Sequence, residues 1–137
     1  MIRYSESPQG ITPEQLQGFF EGWPNPPTPE THLRILQHSD EVVLALDEET
    51  GQVVGFVTAI TDGILAAYIP LLEVLPDYRG QGIGSQLMRR MLALLEDYYM
   101  VDLLCDAHLQ PFYARLGMVP TTGMMLRRYD RQSGRTP

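Results

Sequence analysis

Val74-Leu75-Pro76-Asp77-Tyr78-Arg79-Gly80-Gln81-Gly82-Ile83-Gly84-Ser85 leads from a strand-like run, through a proline, into three alternate glycines and then a helix. Glycines at 80, 82 and 84 can adopt positive φ and admit a ligand close to the backbone, and the helix start offers unpaired N–H groups and the positive end of a dipole. The stretch is suited to holding a phosphate, although glycines alone do not separate it from an ordinary strand-to-helix turn. Two other nucleotide motifs are excluded. The dinucleotide fingerprint needs Gly-x-Gly-x-x-Gly, and the spacing here is Gly-x-Gly-x-Gly; the P-loop needs a lysine, and the chain has none. A lysine Schiff base is excluded on the same ground.

Upstream of this stretch the pattern is strand, helices, strands. Ile2 to Tyr4 reads as a first strand, and Thr12-Pro13-Glu14-Gln15 as a helix start with a capping-box Gln, predicting a helix to about Glu21. Trp23-Pro24-Asn25-Pro26-Pro27 cannot be regular structure, and Thr28-Pro29-Glu30 opens a second helix that should end near His38. Val42 to Leu46 and Gln52 to Ile60 predict a hairpin with an acidic turn, and Ile64 to Leu75 a third antiparallel strand in which Pro70 demands a bulge or a local loss of pairing.

Downstream, Ile83, Leu87, Met91, Leu94, Leu95 and Tyr98 recur at helical spacing, predicting about four turns with Arg89 and Arg90 on the wetter side. Val101 to Cys105 then reads as a buried strand, parallel to the one ending at Leu75 because a helix crosses between them. Gln110 to Leu116 predicts a short helix with Gly117 just past its end, and Met124 to Tyr129 a closing strand. The expected fold class is a single α/β domain over 1–137, an α+β mixed sheet with an antiparallel meander and one parallel crossover, with residues 131–137 as a flexible tail.

Composition narrows the function. A chain of 137 residues, 44% of them hydrophobic, forms one core, and a formal charge of −7 argues against nucleic-acid or anionic-membrane partners. Cys105 is the only cysteine, and with three His no zinc spacing arises, so no metal is expected. With no apolar signal core or membrane-length apolar run, the expectation is a cytoplasmic protein without a membrane partner.

The run from Val74 to Gly84 resembles the acetyl-CoA-binding motif of the GCN5-related N-acetyltransferases, Arg/Gln-x-x-Gly-x-Gly/Ala, met here by Arg79, Gly82 and Gly84. Gln110-Pro111-Phe112-Tyr113-Ala114-Arg115-Leu116-Gly117-Met118 is similar to that family's later motif, a helix tyrosine followed by Leu-Gly-Phe, with Met118 in place of Phe. The order of elements agrees over nearly the whole chain, and the resemblance implies the acyl-CoA N-acyltransferase fold.

The resemblance also implies roles. Backbone amides of Gln81, Gly82, Ile83, Gly84 and Ser85 would cradle the CoA pyrophosphate, with Arg79 and Gly80 shaping the approach, and backbone groups of Leu72 and Val74 would pair with the pantetheine arm. Relatives often carry an Asn where this chain has Asp106, which at pH 7 accepts but does not donate a hydrogen bond. The acceptor pocket would draw on Phe19, Phe20, Trp23 and Tyr68, aromatic walls suited to an amine.

Amide formation sets the remaining requirements. A primary amine with a pKa near ~10.4 is only about one part in 2,500 neutral at pH 7, a cost of roughly 4 to 5 kcal/mol, so a base or a water chain is useful. Glu73 is the first candidate, with a paired strand carboxylate as the competing reading and Asp40, Glu41 and Glu21 as weaker choices. Tyr113 occupies the position from which family members protonate the departing thiolate. Cys105 reads as a small core residue rather than a nucleophile. The expected activity is transfer of an acetyl group from acetyl-CoA to a primary amine of a small molecule or a protein, by direct attack in a ternary complex. The alternative is an acetyl-CoA-binding sensor of the same fold with little turnover. The short segment after Gly117 leaves an edge for a partner subunit to cover, in a homodimer.

Overall fold

A computed structural model describes residues 1–137. One sheet of five strands runs in chain order: β1 (Ile2–Ser5), β2 (Glu41–Asp47), β3 (Val53–Thr61), β4 (Ala66–Val74) and β5 (Met100–Asp102). The first four pair antiparallel and β5 lies parallel to β4, as the crossover through helix α2 (Ile83–Leu94) requires. Helix α1 (Pro29–His38) starts on the Thr28 cap, whose Oγ1 accepts the Thr31 N–H, and helix α3 (Gln110–Ala114) precedes Gly117.

β2 and most of β3 are buried on both faces, which is why they read as unbroken apolar runs rather than alternating ones. Val43, Ala45, Val57 and Ala59 pack under Ile83, Leu87, Met88 and Met91 of α2. On the opposite face Val42, Leu44, Val53 and Phe56 pack against Leu16, Phe19, Phe20 and Leu36. Val53 and Phe56 share a face despite their odd spacing because the register shifts beside Ala45 and Leu46, adding one residue to β3. A second irregularity sits where Pro70 demands it. Thr58 faces Leu71 and Ile60 faces Tyr68, so Ile69 and Pro70 together oppose the single residue Ala59.

Three expectations need correction. The helix predicted to reach Glu21 is a 3-10 turn over Pro13–Leu16, capped by the Thr12 N–H donating to Gln15 Oε1. It stops because Gly18, Phe20 and Gly22 all have positive φ, Phe20 being the only non-glycine residue in the chain that does. The strand predicted over Val101 to Cys105 is the three-residue β5, which is an edge and not a buried strand. The closing strand over Met124 to Tyr129 does not form; that segment has no sheet partner and passes into a 3-10 turn at Tyr129–Arg131. Beyond it the chain returns to α1 and the loop before it: Arg34 Nη1 donates to the Arg135 carbonyl (3.0 Å), and the Asn25 N–H in the loop donates to Gln132 Oε1 (2.8 Å).

Candidate active site

The glycine turn is held from below. Pro76–Tyr78 form a 3-10 turn at the end of β4, and the Tyr78 hydroxyl donates to Asp47 Oδ2 at 2.6 Å, tying the turn to the end of β2. That bond, followed by the Glu49 N–H, holds the Asp47 carboxyl below its ordinary pKa, and the same partner raises the Tyr78 phenol. Gly80 (φ 79°) and Gly82 (φ 82°) take the left-handed conformation, Gly82 as the residue before α2. The N–H groups from Gly80 to Ser85 find no acceptor within the chain, and no side chain caps the helix. Gly84 is different. Its φ is ordinary, and an added Cβ would sit 3.7 Å from Phe112 Cζ, an ordinary contact.

β4 supplies the second part. The Leu75 N–H donates to the Val54 carbonyl, so by alternation the hydrogen-bonding groups of Glu73 and Leu75 face β3 while those of Leu72 and Val74 face away from it. The pairing of β4 with β5 covers Ala66 to Tyr68 and no further. Past that point the two strands separate, and the Leu72 and Val74 backbone faces the wedge. Arg79 closes its end by donating from Nε to the Val74 carbonyl (2.9 Å) and from Nη2 to Glu21 Oε2 (3.0 Å), an exposed pair worth at most about 1 kcal/mol.

A cleft of about 620 Å³ fills this wedge between residues 69–73 and 103–106, with Phe20 and Trp23 on one side and Tyr113 on another. Burial pushes the Tyr113 phenol up to about 12, with the neighbouring Cys105 adding to the effect, so it remains a hydrogen-bond donor throughout the neutral range. Glu73 points to the face of the N-terminal loop. Its Oε1 accepts the Phe20 N–H (2.8 Å) and its Oε2 the Glu21 N–H (3.2 Å), which pins the loop where Phe20 takes φ 63°. Asp106 starts the 3-10 turn Ala107–Leu109 and borders the same cleft.

Unpaired amides at a helix start, a parallel pair that opens and a phenol bordering the opened wedge lie along one side of the sheet's end. A profile of the acetyltransferase (GNAT) family matches residues 9–118. The chain belongs to that family. A crystal structure of a provisionally assigned acetyltransferase from Deinococcus radiodurans R1 superimposes on it with a TM-score of 0.96 at 57% identity, covering 99% of this chain and 94% of that one. A GNAT family protein from Streptococcus pneumoniae is 30% identical with a TM-score of 0.75, over 93% of this chain and 98% of its own. GCN5-related N-acetyltransferase 1 of Arabidopsis thaliana, a chloroplastic protein, is 30% identical over 118 residues, 81% of this chain. The chain spans 58% of that protein's length, and 31% of its chloroplastic relative GCN5-related N-acetyltransferase 3. No helix is long and apolar enough to cross a membrane.

Of the residues expected to bind CoA, Leu72, Arg79, Asp106 and Tyr113 line the cleft of this GNAT chain, whereas Val74 and the turn from Gly80 to Ser85 do not line it. The aromatic residues divide. Phe20 and Trp23 line the cleft, whereas Phe19 is in the core, edge-on to Phe56 at 5.2 Å, and Tyr68 lines an adjoining groove beyond β5 that shares Cys105, Tyr113 and Met125 with the cleft. Phe19 lost its place because the predicted helix ends early and the left-handed Phe20 turns its neighbour inward. Tyr68 lies where β4 is still paired to β5, short of the wedge. Asp40 accepts the Thr61 N–H on the far side of the sheet, and Glu21 is paired with Arg79. Met125 and Arg127 also line the cleft, and sequence reasoning missed them by assigning their segment to a strand.

Proposed function

We infer that this chain is an acetyl-CoA-dependent N-acetyltransferase acting on a primary amine of a small molecule or a protein. The observation that carries the reading is the wedge itself: unpaired amides at one end, the Leu72 and Val74 backbone along its side, and the Tyr113 hydroxyl across it. Bound there, acetyl-CoA would supply an activated thioester carbonyl. Amides of Gly80 to Ser85 would hold the pyrophosphate, helped by the α2 dipole by about 1 kcal/mol. The Val74 N–H, a fixed dipole facing away from β3, would polarise that carbonyl without reorganisation during reaction. Tyr113, kept protonated by burial, would give its proton to the departing sulfur. Glu73 holds the Phe20–Glu21 wall and keeps lone pairs with which to take a proton from the acceptor amine, directly or through water. The one cysteine, Cys105, is free, which fits a reducing cytoplasm.

Direct attack is favoured because no activated nucleophile stands in the cleft: its one thiol, Cys105, has no histidine in the cleft to activate it. The test is thiol release from acetyl-CoA in the presence of a panel of amines. Tyr113→Phe should lower kcat by about 100-fold while changing the KM for acetyl-CoA little. An unchanged kcat and pH profile would remove the acid assignment. A CoA sensor with little turnover is the second reading, favoured by the engagement of both Glu73 oxygens. Saturable acetyl-CoA binding with no thiol release from any amine would select it.

A further inference from the structure

Glu21, Glu73, Arg79, Asp106 and Arg127 are the charged residues lining the cleft. Arg79 and Glu21 are paired with each other, and both Glu73 oxygens accept backbone N–H groups. Asp106 and Arg127 form no ion pair, the other one in the chain joining Arg131 to Asp130. An acceptor amine can meet carboxylates at Glu73 and Asp106, but the Arg127 guanidinium has no counter-charge. Phe20, Trp23, Leu104 and Met125 share the lining with it. A guanidinium is weakly hydrated and presents a planar fork of donors, so in such surroundings it engages a carboxylate or phosphate through two parallel hydrogen bonds. The surrounding field has the same sign. Residues 127–135 carry Arg127, Arg128, Arg131 and Arg135 against Asp130, in a chain whose formal charge is −7. This stretch is held beside the Trp23 loop: the Asn25 N–H donates to Gln132 Oε1, and Arg34 of α1 donates to the Arg135 carbonyl. A basic strip beside the mouth of an acidic protein draws anions to that place.

We propose that the acceptor is a small amine that also carries a carboxylate or a phosphate, and that Arg127 binds this anion while the amine faces the thioester. The inference rests on the acetyl-transfer reading of the cleft and adds the substrate class to it. A simple cationic amine is repelled by Arg127. An amine with its own anion presents the opposite charge both to the guanidinium and to the carboxylates of Glu73 and Asp106, with Phe20 and Trp23 left to cover the carbon skeleton between the two groups. Arg127 is a specificity residue. It does not touch the reacting atoms, so its loss acts on the KM for the charged acceptor more than on kcat.

Two matched pairs of amines test the proposal and separate carboxylate from phosphate: phenylalanine with phenylalaninol, and O-phosphoethanolamine with ethanolamine. Thiol release from acetyl-CoA should give a kcat/KM at least ~10-fold higher for the charged member of one pair. Arg127→Gln should bring that ratio to within about threefold of one, through KM, with Arg127→Lys in between. The Arg127 side chain is exposed and unpaired, so circular dichroism should show both variants folded. Equal rates within both pairs, a preference for the neutral member, or a preference that survives Arg127→Gln overturns the proposal and leaves the acetyltransferase reading standing. Thiol release from none of the four amines counts against that reading, and binding then decides the proposal. With CoA present, about 20 mM of the charged member of a pair should raise the Tm of the parent protein and not that of Arg127→Gln, and the lack of such a difference overturns it.

Discussion

The two ends of the cleft are made of different material. The donor end is backbone: amides from Gly80 to Ser85, and the outward-facing groups of Leu72 and Val74, supported by Tyr78 on Asp47 and Arg79 on Val74. The end proposed for the acceptor is side chains drawn from separate parts of the chain: Phe20 and Trp23 from the N-terminal loop, Glu73 from β4, Met125 and Arg127 from the last segment. Backbone donors do not titrate and are little changed by substitution unless φ or access is altered. Side-chain walls change with every substitution. On the proposed function, one donor chemistry held by backbone can therefore coexist with side-chain walls that set what is modified.

The sharpest break in this comparison should come from Gly82→Glu. A side chain at φ 82° is strained by about 1–2 kcal/mol, and its charge would face the pyrophosphate, so acetyl-CoA affinity should fall by about 1,000-fold in a folded protein. Calorimetric titration reads the loss; affinity within tenfold of the parent would remove the phosphate site from this turn.

Acid should damage the acceptor end first. His32 is 1% exposed, with Phe19, Phe20 and Phe56 rings 4.4 to 5.2 Å away, and neither ring nitrogen has a hydrogen-bond partner. Burial pushes its pKa down to about 4, below the unfolded value of 6.5. The unfolded chain thus binds the extra proton between those values, and stability present above pH 6.5 is lost as pH falls through about 4, by roughly 3 kcal/mol. Unfolding by urea at several pH values should show that slope, and His32→Phe should flatten it. Identical slopes in the two proteins would assign acid sensitivity elsewhere.

Glu73→Gln separates the two roles open to that residue. An amide has one acceptor oxygen in place of two, so the Phe20–Glu21 loop should lose about 1–2 kcal/mol of support and the acceptor KM should rise. Loss of the acidic limb of the kcat/KM profile in the same variant would mark Glu73 as the proton acceptor, and an intact limb would leave it only the loop. The smallest effect belongs to Gly84→Ala. Gly84 has ordinary φ and room for a methyl group, so affinity and stability should move by less than about 1 kcal/mol, with helix propensity favouring the alanine. A loss comparable to that of Gly82→Glu would mean the turn tolerates no side chain anywhere.

The same division explains what was legible in the sequence. Gly80, Gly82 and the apolar spacing from Ile83 mark the donor end because local backbone geometry leaves a local signature. Pro70 announced its own bulge. The acceptor end depends on contacts spanning 53 residues, from Phe20 to Glu73, and on a left-handed Phe20 for which no residue-level preference exists. Met124 to Tyr129 has the composition of a strand, yet strand formation needs a partner edge, and one chain's composition does not say where that edge lies. β5 was overextended for a related reason: Leu103 to Cys105 are apolar because they line the cleft and the groove, not because they pair.

The central claim is that the wedge between β4 and the residues after β5 holds acetyl-CoA. Thermal unfolding with acetyl-CoA at 100 times its dissociation constant tests it most directly. Stabilisation by about 2.7 kcal/mol, with a corresponding rise in Tm, is the predicted result. No change in Tm at millimolar acetyl-CoA would contradict it.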